Sequence, residues 1–158
     1  TALNRFCAQT IIGHPITLYG KGHQKRGFLP LRDSMECLTI AIENSPEKGE
    51  YRVFNQFDEV YDLTALAYKV QEVGKKLGLE VEIRHVENPR RESEDHYYNP
   101  DRERLTALGY KPSHDIEAEI SVILKTLSKY RQRIEARAHA LIPDIRWDGS
   151  RKEVGFLK

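Results

Sequence analysis

Cysteine is scarce in this chain: Cys7 and Cys37 are the two in 158 residues. They are too few for a disulfide framework and lack metal-ligand spacing, so a reducing compartment is expected. Excess charge is scarce too. Twenty-five Lys and Arg stand against 24 Asp and Glu, a net charge of +1, which argues against a dedicated nucleic-acid binder. No apolar run approaches the roughly 20 residues of a membrane span, and no signal or transit peptide is visible. The first residue is not Met, and Thr1-Ala2-Leu3-Asn4-Arg5-Phe6 is already a helical pattern. The chain reads as the interior of something longer, one domain or a large piece of one.

The usual catalytic and cofactor signatures are missing as well. There is no G-x-x-x-x-G-K-[ST] loop, and no G-x-G-x-x-G between a strand and a helix, so no phosphate or dinucleotide fingerprint is present. A nucleophile elbow G-x-S-x-G is absent. So is Tyr-x-x-x-Lys, the base motif of short-chain dehydrogenases. Six histidines are present, but none forms an i, i+4 pair with a glutamate between, and Glu94-Asp95-His96 falls in a loop. No metal is expected. Taken alone, the polypeptide offers binding residues and no catalytic set.

What is present is an alternation of helical and extended patterns. Leu3, Phe6, Cys7, Thr10 and Ile11 share a helical face that Gly13 closes. Ile16 to Tyr19 reads as a strand, Gly20 to Gly27 as a loop, and Phe28 to Leu31 as an irregular extended piece around Pro30. Asp33 or Ser34 is placed to cap a helix with Met35, Leu38 and Ile42 on one side, ending at Asn44-Ser45-Pro46. Tyr51 to Gln56 suits a strand within a covered sheet. Asp62 caps the next helix, whose period runs Leu63, Leu66, Ala67, Val70, Val73, Leu77 before Gly78. Leu79, Val81 and Ile83 alternate with charges, as in a half-buried strand. Asn99-Pro100-Asp101 marks a short helix closed at Gly109. From Ser113 to Asp115 begins what the pattern makes the longest helix, striped by Ile116, Ile120, Ile123, Leu127, Tyr130 and Ile134. After Pro143 no period is visible.

Two loops stand out chemically. Asn88 to Asn99 packs two arginines, three acids, a histidine and two tyrosines behind a strand pattern, and Lys21 to Arg26 is a second basic turn. A guanidinium fork donates two parallel hydrogen bonds, which suits phosphate or carboxylate. Either loop alone reads as a solvated surface whose charges pair with one another. Together they are expected to face one anionic ligand.

The order of several short motifs carries a resemblance. Thr1-Ala-Leu-Asn-Arg-Phe-Cys7, Gly13-His-Pro-x-Thr-Leu-Tyr-Gly-Lys-Gly22, Gln24-x-Arg-Gly27, Arg32-Asp33, Tyr51-Arg-Val-Phe-Asn-Gln-Phe57 and Asn88-Pro-Arg-x-Glu-x-Glu-x-His-Tyr-Tyr-Asn99 occur in sequence. In that order they resemble the C-terminal portion of the UDP-sulfoquinovose synthase family. These enzymes of sulfolipid biosynthesis lie within the extended short-chain dehydrogenase/reductase, or NAD-dependent epimerase/dehydratase, group. The resemblance runs from residue 1 to about Gly109, and more loosely through the last helix.

The resemblance implies an α/β fold: the C-terminal substrate-binding part of an extended short-chain dehydrogenase, with mixed short strands and helices and an element completing the Rossmann layer. Residues 1–142 would form the UDP-sugar-binding lobe and 143–158 a tail. NAD would be bound by an N-terminal Rossmann domain that this chain does not contain. The implied activity is UDP-glucose plus sulfite, or a sulfite-donating protein, to UDP-sulfoquinovose. The alternatives are another nucleotide-sugar epimerase or dehydratase and, from a different class, a non-catalytic interaction domain whose Ile116–Ile134 stripe packs between chains. By analogy Ala2, Leu3 and Asn4 meet phosphates or uridine from a helix start, and Thr17 to Tyr19 line the uracil through backbone groups. Arg26 and Arg90 clamp the pyrophosphate, with Gln24 and Glu92 for ribose contact or polar support. Arg91 is not assigned, and His23-Gln24-Lys25 replaces a more glycine-rich turn. The implied setting is cytoplasm or plastid stroma, without nucleic acid or a membrane span; a homo-oligomer is left open.

Overall fold

The computed structural model describes residues 1–88, 100–113 and 115–141. Helix α1 (Ala2–Ile11) buries Leu3, Phe6, Cys7, Thr10 and Ile11, the five positions its spacing marks, and Gln9 besides. Gly13 at φ 70 lets the chain turn off the helix end, with the Gly13 and His14 amides donating to Thr10 and Gln9. Strand β1 (Ile16–Tyr19) follows and pairs in parallel with β4 (Ile83–Val86), Ile16 opposite Ile83 and Tyr19 opposite Val86. Strand β2 (Lys25–Phe28) pairs antiparallel with β3 (Glu59–Asp62) in a second two-stranded sheet. Helix α2 (Leu31–Glu43) lies between those two in sequence. Helix α3 (Leu63–Lys76) leads to β4, and α4 (Glu103–Ala107), α5 (Ile116–Ser128), α6 (Arg131–Glu135) and a 3₁₀ turn, Ala138–Leu141, complete the described chain.

The main core lies where α1, α3 and α5 pack together, with α1 and α3 also against β1. Phe6, Ile16, Leu18, Leu66, Val70, Ile120 and Leu124 are its buried centre, and burying each large apolar side chain contributes about 1.5–3 kcal/mol. At Gly74 an added Cβ would sit 3.1 Å from the Thr10 methyl, so a bare backbone there sets how closely α3 approaches α1. A smaller core joins Cys37 and Ile40 of α2 to Leu105 of α4 and to Tyr110. Asp62 and Asp115 cap α3 and α5 by accepting from the Ala65 and Ala118 amides.

Several expectations need correction. Lys25–Phe28, not Phe28–Leu31, forms the strand, and α2 begins directly after Pro30, whose carbonyl takes the Ser34 amide at 2.9 Å. Asp33 and Ser34 therefore do not cap α2. Asp33 turns inward to accept from the Ser113 amide (3.0 Å), the Ser113 hydroxyl and Tyr110, while Ser34 donates to Gln56. With Asp33 drawn inside, Met35, Leu38 and Ile42 rotate outward, at 57, 45 and 73% exposure. Tyr51 to Gln56 is not a strand: no backbone partner pairs with it among the described residues, and Tyr51 is 87% exposed. The strand in that region is β3, beyond it. Leu79 and Val81 precede β4 rather than belonging to it, since Gln71 takes the Val81 carbonyl and the Leu79 amide folds back to Gly74. Helix α4 starts at Glu103, whose amide Asp101 accepts; Asn99 lies outside the described residues. The long stripe divides between α5 and α6, making α3 one residue longer than α5. Ile116 and Ile120 are buried inside this chain against α1 and α3, and Tyr130 is exposed. Packing within the chain is the reverse of what a between-chain stripe requires. The tail beyond residue 141 lies outside the described residues.

Candidate functional site

A parallel strand bonds its neighbour through alternate residues. The Ile16 amide donates to Glu82 (2.8 Å) and the Gly20 amide to Val86 (2.9 Å), both toward β4. Thr17 and Tyr19 therefore direct their backbone groups to the opposite edge of β1, where no strand pairs with them among the described residues. Helix α1 dresses that edge. Gln9 accepts from the Thr17 amide (3.1 Å) and donates to the Thr17 hydroxyl (2.8 Å). Arg5, one turn earlier on the same helical face, donates to the Thr17 carbonyl at 2.9 Å. Its guanidinium lies over the Tyr19 ring, 4.3 Å from the centroid, and 5.4 Å from that of Phe6.

The turn after β1 is fixed from two sides. His85 of β4 bonds the Gly20 carbonyl through Nδ1 (2.8 Å). Thr64, in the first turn of α3, donates its amide to Gly22 (3.1 Å) and its hydroxyl to Lys21 (3.3 Å). Gly22 has φ +77, and a Cβ there would collide with the Thr64 hydroxyl, so the position needs glycine twice over. The turn delivers Gln24, which is buried with an Oε1 that has no hydrogen-bond partner among the described residues. The Tyr19 hydroxyl is in the same condition. A buried acceptor without a donor costs about 1–3 kcal/mol, so both atoms mark places where a ligand's polar group would be stabilising.

The sequence-derived residues are distributed unevenly. Thr17 meets α1 through Arg5 and Gln9, and Tyr19 through Arg5. Ala2 is half-buried beside the core and Asn4 exposed, but Leu3 points into the core and anchors the helix. Arg26 stands on β2, paired with Tyr61, and directs one guanidinium nitrogen to its own neighbour's carbonyl, Lys25, at 2.7 Å. It is a strand residue, where the sequence pattern puts it in the Gly20 to Gly27 loop. Arg90 and Glu92 lie outside the described residues. Sequence reasoning missed Arg5, Gln9, Thr64 and His85. The available signal was a polar pair four residues apart beside an apolar helical face.

Titration bears on what the region can do. Burial, reinforced by the Glu59 carboxylate that its hydroxyl bonds, raises the Tyr61 phenol well above the usual tyrosine range. Burial pushes the Cys7 thiol up to about 12. Both stay protonated near neutrality, so neither acts as base or nucleophile there. Among the described residues no group of three or more His, Cys, Asp or Glu is placed to hold a metal ion, and no helix is long and apolar enough to cross a membrane. For a dinucleotide such as NAD the described residues do not fit. Neither β1 nor β2 runs into a helix through a glycine fingerprint, and the Gly20–Gly22 turn leads to β2.

A concavity of about 230 Å³ is lined by Val53, Asn55, Asp101, Arg102, Arg104 and Leu105. Its charges are largely engaged. Arg102 bonds the Asp58 carboxylate at 2.6 Å and lies 5.6 Å from the Phe57 ring, and Asn55 donates to the Asp101 carbonyl. Asn55, Gln56 and Phe57, prominent in the sequence motif, thus tie α2, α4 and the intervening segment together.

No family model matches the chain. It is 46% identical over 147 residues to UDP-sulfoquinovose synthase of Sulfolobus acidocaldarius, covering 93% of this chain and 37% of that protein. To the chloroplastic UDP-sulfoquinovose synthase of Spinacia oleracea it is 45% identical, again over 93% of this chain and over 30% of the relative. The chain therefore spans about a third of the length of the curated relatives it matches. Among solved structures, UDP-glucose 4-epimerase from Thermotoga maritima with UDP-glucose superimposes with a TM-score of 0.67 at 18% identity, covering 82% of this chain and 40% of that one. A Bacillus cereus UDP-glucuronic acid 4-epimerase variant, in complex with a UDP-sugar and NAD, gives 0.65 at 17% with the same coverage. The α/β arrangement described above is the fold shared with these epimerases.

Proposed function

The chain is related along nearly its whole length to the UDP-sulfoquinovose synthases, and on that premise we propose that it is the UDP-sugar-holding portion of such an enzyme. The whole protein would turn UDP-glucose and sulfite into UDP-sulfoquinovose. The observation that carries this reading is the 46% identity over 147 residues, 93% of this chain, to a UDP-sulfoquinovose synthase. NAD, for which the described residues offer no cradle, would be held by the part of the relatives this chain does not span. Hydride transfer to and from the sugar is the chemistry that cofactor supplies when bound.

This chain's own contribution is binding and orientation. The edge of β1 turned away from β4 carries the Thr17 carbonyl and the flat Tyr19 ring, both in contact with Arg5, as the groups a base would meet, and Gln24 Oε1 is a buried acceptor for a hydroxyl. Arg26 supplies a cation for the pyrophosphate, whose roughly two negative charges suit a guanidinium fork. Arg90 and Glu92 are assigned by sequence to the same ligand. Ala2 and Asn4, at the α1 start, lie where backbone amides favour an anion.

Calorimetric titration of UDP-glucose, with UDP as control, tests the binding role. Affinity between roughly micromolar and millimolar is expected, since part of the pocket is missing and the ordering cost remains. Arg26→Ala should lose about 1–3 kcal/mol of it, the worth of a charged hydrogen bond. No heat and no chemical-shift change at millimolar ligand would refute a preformed site. For the full-length protein, product formation that needs sulfite separates a synthase from an epimerase, which turns over UDP-glucose alone.

A further inference from the structure

We propose that the outward face of α5 and α6 docks on an anionic membrane surface. The near-neutral total of the chain hides a division of charge along it. Residues 1–124 hold 16 Lys and Arg against 20 Asp and Glu, and residues 125–158 hold nine against four. An asymmetry of this kind points to a polyanionic partner. Lys125, Lys129, Arg131, Arg133 and Arg137 lie within 13 residues, all exposed, and Glu135 is the one acid among them. Arg131 bonds that glutamate at 2.8 Å. None of the other four has a carboxylate partner among the described residues.

The fold displays these cations on a packed element. Ile116, Ile120 and Leu124 are buried, and Ile123, Leu127 and Ile134 pack against the same core. Lys125 and Lys129, four residues apart, fall on the opposite side of α5 with Val122 and Thr126. Past α6 the 3₁₀ turn touches α1, which holds the far end of the run. The C-terminus of α5 favours a cation, which gives Lys125 and Lys129 a local reason; it gives none for Arg137, beyond the end of α6. Each Lys or Arg held near an anionic bilayer adds attraction that fades within a Debye length. A flat surface meets this face alone, whereas a polynucleotide wrapping the chain would also meet its acidic remainder. Tyr130 and Val122 stand exposed among the cations. A tyrosine suits the headgroup layer, with an apolar ring and a hydroxyl that stays wet. This docking is independent of the UDP-sugar reading.

The test is cosedimentation of the chain with vesicles of phosphatidylcholine, alone or mixed with phosphatidylglycerol. The chain should bind the mixed vesicles at about 50 mM salt, ignore the neutral ones, and come off at about 500 mM as the Debye length shrinks. Lys125→Gln with Lys129→Gln should weaken binding roughly 25-fold, at about fivefold per cation, and Arg133→Gln with Arg137→Gln should do the same. Lys48→Gln with Lys111→Gln makes the same change of net charge at exposed positions elsewhere and should leave binding nearly unchanged. Equal loss in that pair, or no binding to the mixed vesicles at low salt, overturns the docking. Tighter binding to a single-stranded oligonucleotide at equal phosphate concentration, lost in the same α5 and α6 variants, overturns it in favour of nucleic acid.

Discussion

The α1–β1–α3–α5 core and the α2–α4 core carry equally clear apolar periodicity, yet only in the first does the periodic face point inward. Every position the spacing marks in α1 is buried. In α2 the stripe Leu31, Met35, Leu38 and Ile42 lies outside, and the inward face is Asp33, Cys37 and Ile40. Periodicity identifies a face, and the position of the partner decides where that face looks. Helix α2 is oriented by polar attachments instead: Asp33 to Ser113 and Tyr110, Ser34 to Gln56, and Arg32 to Glu119 at 3.6 Å. The difference has a direct energetic consequence. Ile120→Ala, in the first core, should lose about 2–5 kcal/mol of unfolding free energy through lost transfer and an unfilled cavity. Met35→Ala and Ile42→Ala should change it by no more than about 0.5 kcal/mol. Urea unfolding measures all three. Comparable losses would mean that the α2 stripe is covered in solution, and the contrast between the cores would vanish.

A smaller effect separates the two cores through their cysteines. Asp33→Ala removes the acceptor for the Ser113 amide and hydroxyl, leaving polar groups of the 110–113 segment unpaired, at a cost of about 1–3 kcal/mol. The Cys37 thiol is raised above its ordinary value by burial first and then by the Asp33 carboxylate, and Cys7 is raised by burial alone. In the unsubstituted chain both should resist a thiol reagent at neutral pH, Cys7 more strongly, because its core opens only with the whole fold. In Asp33→Ala the Cys37 reaction should accelerate several-fold with the Cys7 rate unchanged, since opening of the α2–α4 core becomes easier by the free energy lost there. Equal acceleration of both would show that the cores open as one unit.

That contrast also explains what could be read from the sequence. Helix α1, strand β1, the Asp62 cap with the helix it starts, and the closures at Gly78 and Gly109 are set by residues near one another in the chain, so local chemistry was enough. The strand β3, the rotation of α2 and the irregular course of Tyr51 to Gln56 depend on partners far away in sequence, Ser113 and Asp101 among them. At the candidate site, the β1 strand and a glycine-containing loop directly after it were visible. The closing of the β1 edge by Arg5 and Gln9 was not, because it requires knowing that α1 runs along that edge. Arg26 was singled out by residue type and resemblance, and its place on a strand followed only from the pairing of Tyr61 with it.

The smallest effect lies at the exit from α2, where polar attachment again substitutes for burial. Arg52 donates to both Glu50 oxygens, at 2.6 and 2.7 Å, and to the Asn44 carbonyl at the helix end. The guanidinium, followed by the Glu47 amide, holds the Glu50 carboxyl down at about 2. A carboxyl depressed on folding favours the folded form at pH above its ordinary value, and that contribution fades as pH falls through the folded one. The site is exposed, so solvent screening keeps its share of global stability small. The Glu50 carboxyl resonance should therefore titrate near pH 2 and return toward the ordinary glutamate range in Arg52→Gln, while the urea midpoint at pH 7 barely moves. A normal Glu50 midpoint in the unsubstituted chain would show that Arg52 does not hold this turn. The segment from Tyr51 onward would then owe its course to the Asn55 and Gln56 contacts alone.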